Sequence, residues 1–117
     1  MNSVVLVGRL TKDVKVTCLS NTEVNKLSFT LAVDRDYKNS SGEKETDFIH
    51  CEKIEKSLAI APYLKKGRLI CVFGSLRIDK FLDEHNQKKI YTKVFIKNIQ
   101  LLTSNNLHQE SQNQPNF

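Results

Sequence analysis

No stretch of this chain approaches the roughly 18 consecutive apolar residues that a membrane-spanning helix needs, so none is expected. The start, MNSVVLVGRL, lacks a cationic opening followed by an apolar core and a small-residue cleavage site, so no secretory leader is expected either. Cysteine is scarce. Cys18, Cys51 and Cys71 are an odd number with no short spacing between them, which speaks against a disulfide framework and a zinc site. Each lies in or beside an apolar run, so all three are expected as small core residues in a reducing compartment, the cytoplasm. Acids are scattered rather than clustered. Glu43, Glu45 and Asp47 sit in or beside a polar loop, a poor basis for the metal-holding carboxylates of a nuclease. His50 and Cys51 are adjacent, and neighbours on a strand point to opposite faces, so they do not converge on one ion. No metal, no cofactor and no enzymatic activity are expected. The last 20 residues have no Lys or Arg and one acid, Glu110.

Positive charge is what the rest of the chain has. Eighteen basic residues stand against 13 acids, for a net +5, and every basic residue lies at or before Lys97. A basic body suits a polyanionic partner. The length, 117 residues, suits one compact domain. That domain is expected over residues 1–102, with a disordered polar tail over 103–117.

The stretch Leu27 to Ile54 organises the chain. Leu27, Phe29, Leu31 and Val33 alternate with Ser28, Thr30, Ala32 and Asp34, the period of a strand with one buried face. A polar loop from Tyr37 to Thr46 follows. In the second run the apolar order of Ile49 and Cys51 turns them inward, and Phe48 outward with His50 and Ile54. The hairpin thus presents Tyr37 and Phe48 near Arg35, Lys38 and Lys44. Flat rings among cations suit unstacked bases on a phosphate chain.

Around this hairpin, Ser3 to Leu10 reads as a strand apolar on both faces, which implies a central position or a subunit contact. Gly8 within it marks a bend or close backbone approach. Val14, Val16 and Cys18 continue the sheet. Lys56 to Gly67 reads as the one helix, with Ser57 as its cap and Leu58, Ala61, Tyr63 and Leu64 facing the core; Pro62 makes it short or distorted. Arg68 to Ile78 and Ile90 to Leu102 are strands, with Phe73 and Phe95 assigned to core or subunit contact. About five strands interrupted once by a helix predict an all-β protein, a five-stranded Greek-key barrel of the oligonucleotide-binding type (OB-fold) with one short helix between its third and fourth strands.

MNSVVLVGRLTKD, FTLAVDRDYKNSSGE, ETDFIHC, YLKKG and GSLR leading to Phe81 together make the sequence resemble the bacterial single-stranded DNA-binding proteins, in order and from Met1 to about Leu102. The resemblance implies the OB-fold, a homo-oligomer (usually a tetramer, otherwise a dimer) and sequence-tolerant binding of single-stranded DNA in replication, recombination and repair. It also implies base stacking on Tyr37, Phe48 and Phe81. Ile54 stands where a fourth ring is usual, and Asp79 where a basic residue is common. The family ends in a run of acids before Pro-Phe, a tip that recruits other proteins. Here the end is Gln-Pro-Asn-Phe without the acids, so recruitment through the tail is doubtful. A plasmid, phage or accessory form fits that departure.

The expected mechanism is binding without chemistry. Arg35, Lys38, Lys56, Arg77, Lys80 and Lys88 track phosphates, while Tyr37, Phe48, Ile54 and Phe81 meet bases. The alternatives are an OB-fold adaptor in a primosome-like assembly with weak DNA binding, a small nuclease, or a binder of single-stranded RNA.

Overall fold

Period-two alternation of apolar side chains carries most of this chain into strands. The computed structural model describes residues 1–103. It contains β1 (Val4–Leu10), β2 (Lys15–Cys18), β3 (Asn25–Lys38), β4 (Lys44–Glu55), β5 (Leu69–Leu82) and β6 (Lys88–Leu101). The sheet order is β1-β5-β6-β4-β3-β2, and an extra β1–β3 pairing closes it. β1 meets β3 at Arg9–Ala32 and Leu10–Leu31, and β2 takes up the same strand from Lys15–Ser28 onward. The two therefore act as one bent strand, which reconciles six segments with a five-stranded OB barrel. The β4–β6 contact is parallel, Cys51 opposite Val94 and Glu52 opposite Phe95, and all other pairings are antiparallel.

The buried parity is the one read from the sequence. Leu27, Phe29 and Leu31 of β3 enclose the core with Cys51 of β4, Ile70 and Val72 of β5, and Val94 and Ile96 of β6. Each fully buried side chain of this size contributes about 1.5–3 kcal/mol. Gly8 sits where β1 crosses β3, and a Cβ there would stand 2.3 Å from the Ala32 carbonyl oxygen. No side chain fits that crossing.

The expected short, distorted helix is present in its smallest form. Between Lys56 and Gly67 there is a single 3-10 turn, Ala61–Tyr63, with Pro62 at its start. The proline has no amide to donate, so the turn does not propagate backwards. Ser57 accepts a hydrogen bond from the Ala59 amide at 3.1 Å and so serves a bend rather than a helix cap. Of the four residues expected to face the core, Leu64 is fully buried, whereas Leu58 and Tyr63 are exposed. Cys18 is a second correction. Cys51 and Cys71 are buried, but Cys18 is exposed, because β2 pairs on one side only. Burial without a partner charge pushes the Cys51 thiol up to about 12. Apart from Thr103, the expected tail lies outside the described residues.

Candidate nucleic-acid interface

Two long hairpins carry the candidate site, and an asparagine or aspartate closes each tip. In the β3–β4 loop Asn39 Oδ1 accepts from the amides of Ser41 and Glu43 at 2.9 and 3.0 Å, and Gly42 has φ 79°. In the β5–β6 loop Asp83 Oδ1 accepts from the amides of His85 and Gln87 at 2.8 and 2.9 Å, and Asn86 has φ 59°. These local turns set the register that aims the side chains.

Because Leu27, Phe29, Leu31 and Cys51 face inward, the opposite parity of β4 faces outward: Phe48, His50, Glu52 and Ile54. The parallel register places Glu52 beside Phe95 of β6, and the antiparallel register places Tyr91, Lys93 and Phe95 opposite Asp79, Arg77 and Ser75 of β5. One continuous outward surface therefore spans β4, β6 and β5, with Phe81 at its far end opposite Lys89. On it Phe48 is 68% exposed, Phe81 50% and Ile54 38%.

The centre of this surface is held by a charge network. Lys93 Nζ donates to Glu52 and to Asp79, both at 2.7 Å, and His50 Nε2 lies 3.2 Å from the other Glu52 oxygen. Burial alone would raise the Glu52 carboxyl, but hydrogen bonds from Lys93 and His50 outweigh it and hold the group below its ordinary range. Hydrogen bonds from Lys93 to Asp79 and Glu52 raise the ammonium. His50 also packs against Tyr91, ring centroids 5.1 Å apart at 52°. Asp79 stands where the family resemblance favours a basic residue; here it anchors Lys93 and ties β5 to β6.

Tyr37 is as exposed as Phe48 but stands elsewhere. Between Asp34–Thr46 and Lys38–Lys44 the register shifts, four steps along β3 against two along β4. Tyr37 lies in that bulge and lines a cleft with Val5, Val7 and Arg35. It therefore sits on the β1 side of the hairpin arm, not beside Phe48.

The cations divide. Arg35 is tied down: its Nε and Nη2 donate to the two Asp47 oxygens at 3.0 Å each, and Nη1 donates to Glu45 at 2.6 Å. The guanidinium hydrogen bond holds the Asp47 carboxyl low. In this structure the donors of Arg35 brace the arm. Lys38 faces Lys44 across the hairpin, and Lys56 is exposed just past the end of β4. Lys80 and Lys88 line a cleft of about 630 Å³ with Phe81, Lys89 and Ile90 at the tip of the second hairpin. Arg77 lies over the ring of Phe95, with its guanidinium carbon 3.8 Å from the centroid. Phe95, expected in the core or at a subunit contact, is half-buried and forms the floor under this arginine. Phe73 is partly exposed on the outer side of β5.

Sequence reasoning missed Tyr91, Lys89 and Phe95. The parity of β6 already placed Tyr91, Lys93 and Phe95 together. What was lacking was the knowledge that this face continues the Phe48 face, which only the parallel β4–β6 contact supplies.

A closed OB barrel whose outward face carries exposed rings among cations defines an oligonucleotide-binding protein. The profile of the single-strand binding protein family matches residues 1–102. "Single-stranded DNA-binding protein 1" of Streptococcus pyogenes serotype M18 is 39% identical over 103 residues, covering 87% of this chain and 78% of the relative. A namesake from Clostridium acetobutylicum is 36% identical, covering 87% and 94%. In fold, the chain is similar to the protein in a "Plasmodium falciparum SSB complex with ssDNA", with a TM-score of 0.76 at 22% identity over 88% of this chain and 96% of that one. The chain belongs to the single-strand binding protein family.

Proposed function

We propose that this protein binds and protects single-stranded DNA without sequence preference, in replication, recombination and repair. The observation that carries the reading is the single outward surface on which Phe48, Tyr91 and Phe81 lie among Lys89, Arg77 and Lys26, the β3 residue paired with Ile54. Every base has a flat face, so ring stacking of about 1–3 kcal/mol per base tolerates any sequence. A duplex hides those faces, which gives the preference for single strands. Tyr37 lies around the edge of the β3–β4 arm from Phe48. A bound strand that uses both rings must turn over that edge, so it wraps the barrel rather than crossing it. Lys38, Lys56, Lys80 and Lys88 line the route as phosphate contacts, and Ile54 gives an apolar contact to one base.

The working form in this reading is a homo-oligomer, a dimer or tetramer, in the cytoplasm. Val5 and Val7 of β1 are exposed and pair along the sheet with Phe73 and Cys71 of β5, which leaves an apolar outer face on the single chain. A second copy is its natural cover.

A titration with poly-dT at two salt concentrations, combined with a solution mass, tests the reading. The chain has no tryptophan, so quenching of tyrosine emission reports stacking directly. The expected result is tight binding with a log–log salt slope near −0.7 per phosphate contacted. Equal affinity for duplex, or no binding by an intact oligomer, would overturn it; the latter with tight binding to another protein would favour the adaptor role.

A further inference from the structure

We infer that Arg77, laid flat on Phe95, is a stacking platform for one further base, in a cleft beyond Ile54, rather than a phosphate contact. The inference rests on the reading that the outward face holds single-stranded DNA.

The geometry is that of a two-layer shelf. The guanidinium carbon lies 3.8 Å from the Phe95 centroid, so one face of the group is covered by the ring. A guanidinium is planar and weakly hydrated on its faces, and it stacks on aromatic rings and on bases alike. With its lower face on Phe95, the upper face is what it presents outward. Its charge is also free. Among the described residues no ion pair joins Arg77 to a carboxylate, and the nearest acid along its face of β5, Asp79, is held by Lys93.

The cleft has room for the base. It encloses about 730 Å³ and is lined by Ile54, Phe73, Arg77, Phe95, Lys97 and Met1. That falls within the roughly 300–1,000 Å³ of clefts that hold drug-sized ligands. Two features fix its shape. At Gly74 a Cβ would stand 2.2 Å from the Phe95 carbonyl oxygen, so β5 and β6 approach here more closely than any side chain allows. On the far wall, Asn2 Nδ2 donates to the Leu76 carbonyl at 2.7 Å and Asn2 Oδ1 accepts from the Leu76 amide at 2.8 Å. The N-terminal segment is thereby pinned along β5, which brings Met1 to the cleft. Lys97 supplies charge for the phosphates flanking a base on the shelf. Ile54 offers the base edge an apolar contact but no ring; the flat surface beside it is Arg77.

The test compares Arg77→Lys, Arg77→Gln and Phe95→Leu with the unaltered chain. The probes are a length-matched oligo-dT and copies with one abasic site moved along it. Lysine keeps the charge and removes the plane. The expected result is that Arg77→Lys weakens binding about 5- to 10-fold, the low end for loss of one stack. Its salt slope should not change, and the abasic penalty should vanish at one position only. Phe95→Leu should reproduce this by removing the floor, with thermal melting to show that it folds. Arg77→Lys binding as tightly as the unaltered chain would overturn the proposal. So would an Arg77→Gln variant whose salt slope drops by about 0.7 while every abasic penalty persists, because that marks a phosphate contact. Failure of the unaltered chain to bind oligo-dT is a separate result, and it overturns the function itself.

Discussion

The two hairpin arms share a turn chemistry and differ in charge. From Asp34 to Phe48 the first arm carries five acids against three bases; from Arg77 to Lys93 the second carries five bases against three acids. The first arm uses its charges on itself: Arg35 clasps Asp47 and Glu45, and Thr46 donates to Asp34 at 2.7 Å. On the second arm, no ion pair engages Arg77, Lys80 or Lys88 among the described residues, and Lys89 reaches Asp83 only at 3.9 Å. The lesson is that one arm presents a ring on a self-neutralised support, while the other presents a ring and the charge. Base stacking should thus be shared between the arms, and phosphate binding should fall mainly to the second.

Removing one ring from each arm gives the largest expected effect. Phe48→Ala together with Phe81→Ala should weaken oligo-dT binding by about 2–6 kcal/mol, the sum of two stacks. Melting should be unchanged, since both rings are exposed. Single variants of similar size would confirm that stacking is shared. If Phe81→Ala alone carried the whole effect, the comparison would break.

Next comes the clamp between the hairpins. Lys93→Met leaves Glu52, whose side chain is 12% exposed, without its main donor. A loss of about 2–4 kcal/mol in unfolding free energy is expected, below the cost of stranding a fully buried charge. The pH dependence has two edges. The Glu52 carboxyl is depressed, so its contribution is present above the ordinary value of 4.5 and is lost as pH falls through the lower folded value. The Lys93 ammonium is raised, so its contribution is complete below 10.5 and is lost as pH rises through the higher folded value. Denaturant melts across pH should therefore show a plateau between these edges, and Lys93→Met should flatten both.

How much of this was legible beforehand follows from which contacts are local. The outward turn of Phe48 and the burial of Leu27, Leu31 and Cys51 came from alternation alone, because a strand's period fixes its faces. Pro62 made the short, distorted helix legible, but which residues of that segment are buried was not, because the apolar spacing of Leu58, Ala61 and Leu64 imitates a longer helical face. The role of Arg35 was hidden for a different reason. A basic residue near a ring reads as a phosphate contact until the register sets Asp47 across from its neighbours. Phe95 was hidden because its partner, Arg77, lies on another strand.

Charge removal sharpens the contrast on a smaller scale. Lys80→Gln with Lys88→Gln on the second arm should lower the salt slope by about 0.7 for each phosphate that the variant no longer neutralises. Lys38→Gln with Lys44→Gln on the first arm should change it less, since acids of the same arm already offset those lysines. Titration of both double variants at several salt concentrations reads this directly. Equal changes on both arms would show that the first arm's charges are not spent internally.

The smallest expected effect is on the brace itself. Arg35→Gln removes three charge-assisted donors from the first arm, but the pair is 40% and 46% exposed on its two sides, and water screens it. Global stability should change little. The change should instead be local: faster amide exchange from Asp36 to Thr46, where the bulge leaves β3 and β4 without continuous pairing. Affinity for oligo-dT should fall only slightly. The released Asp47 and Glu45 carboxylates repel phosphate, but Tyr37, Phe48 and the second arm's cations are all still in place. A drop in salt slope equal to that of the second-arm lysines would mean that Arg35 leaves its carboxylates for the DNA, and the division of labour between the arms would then fail.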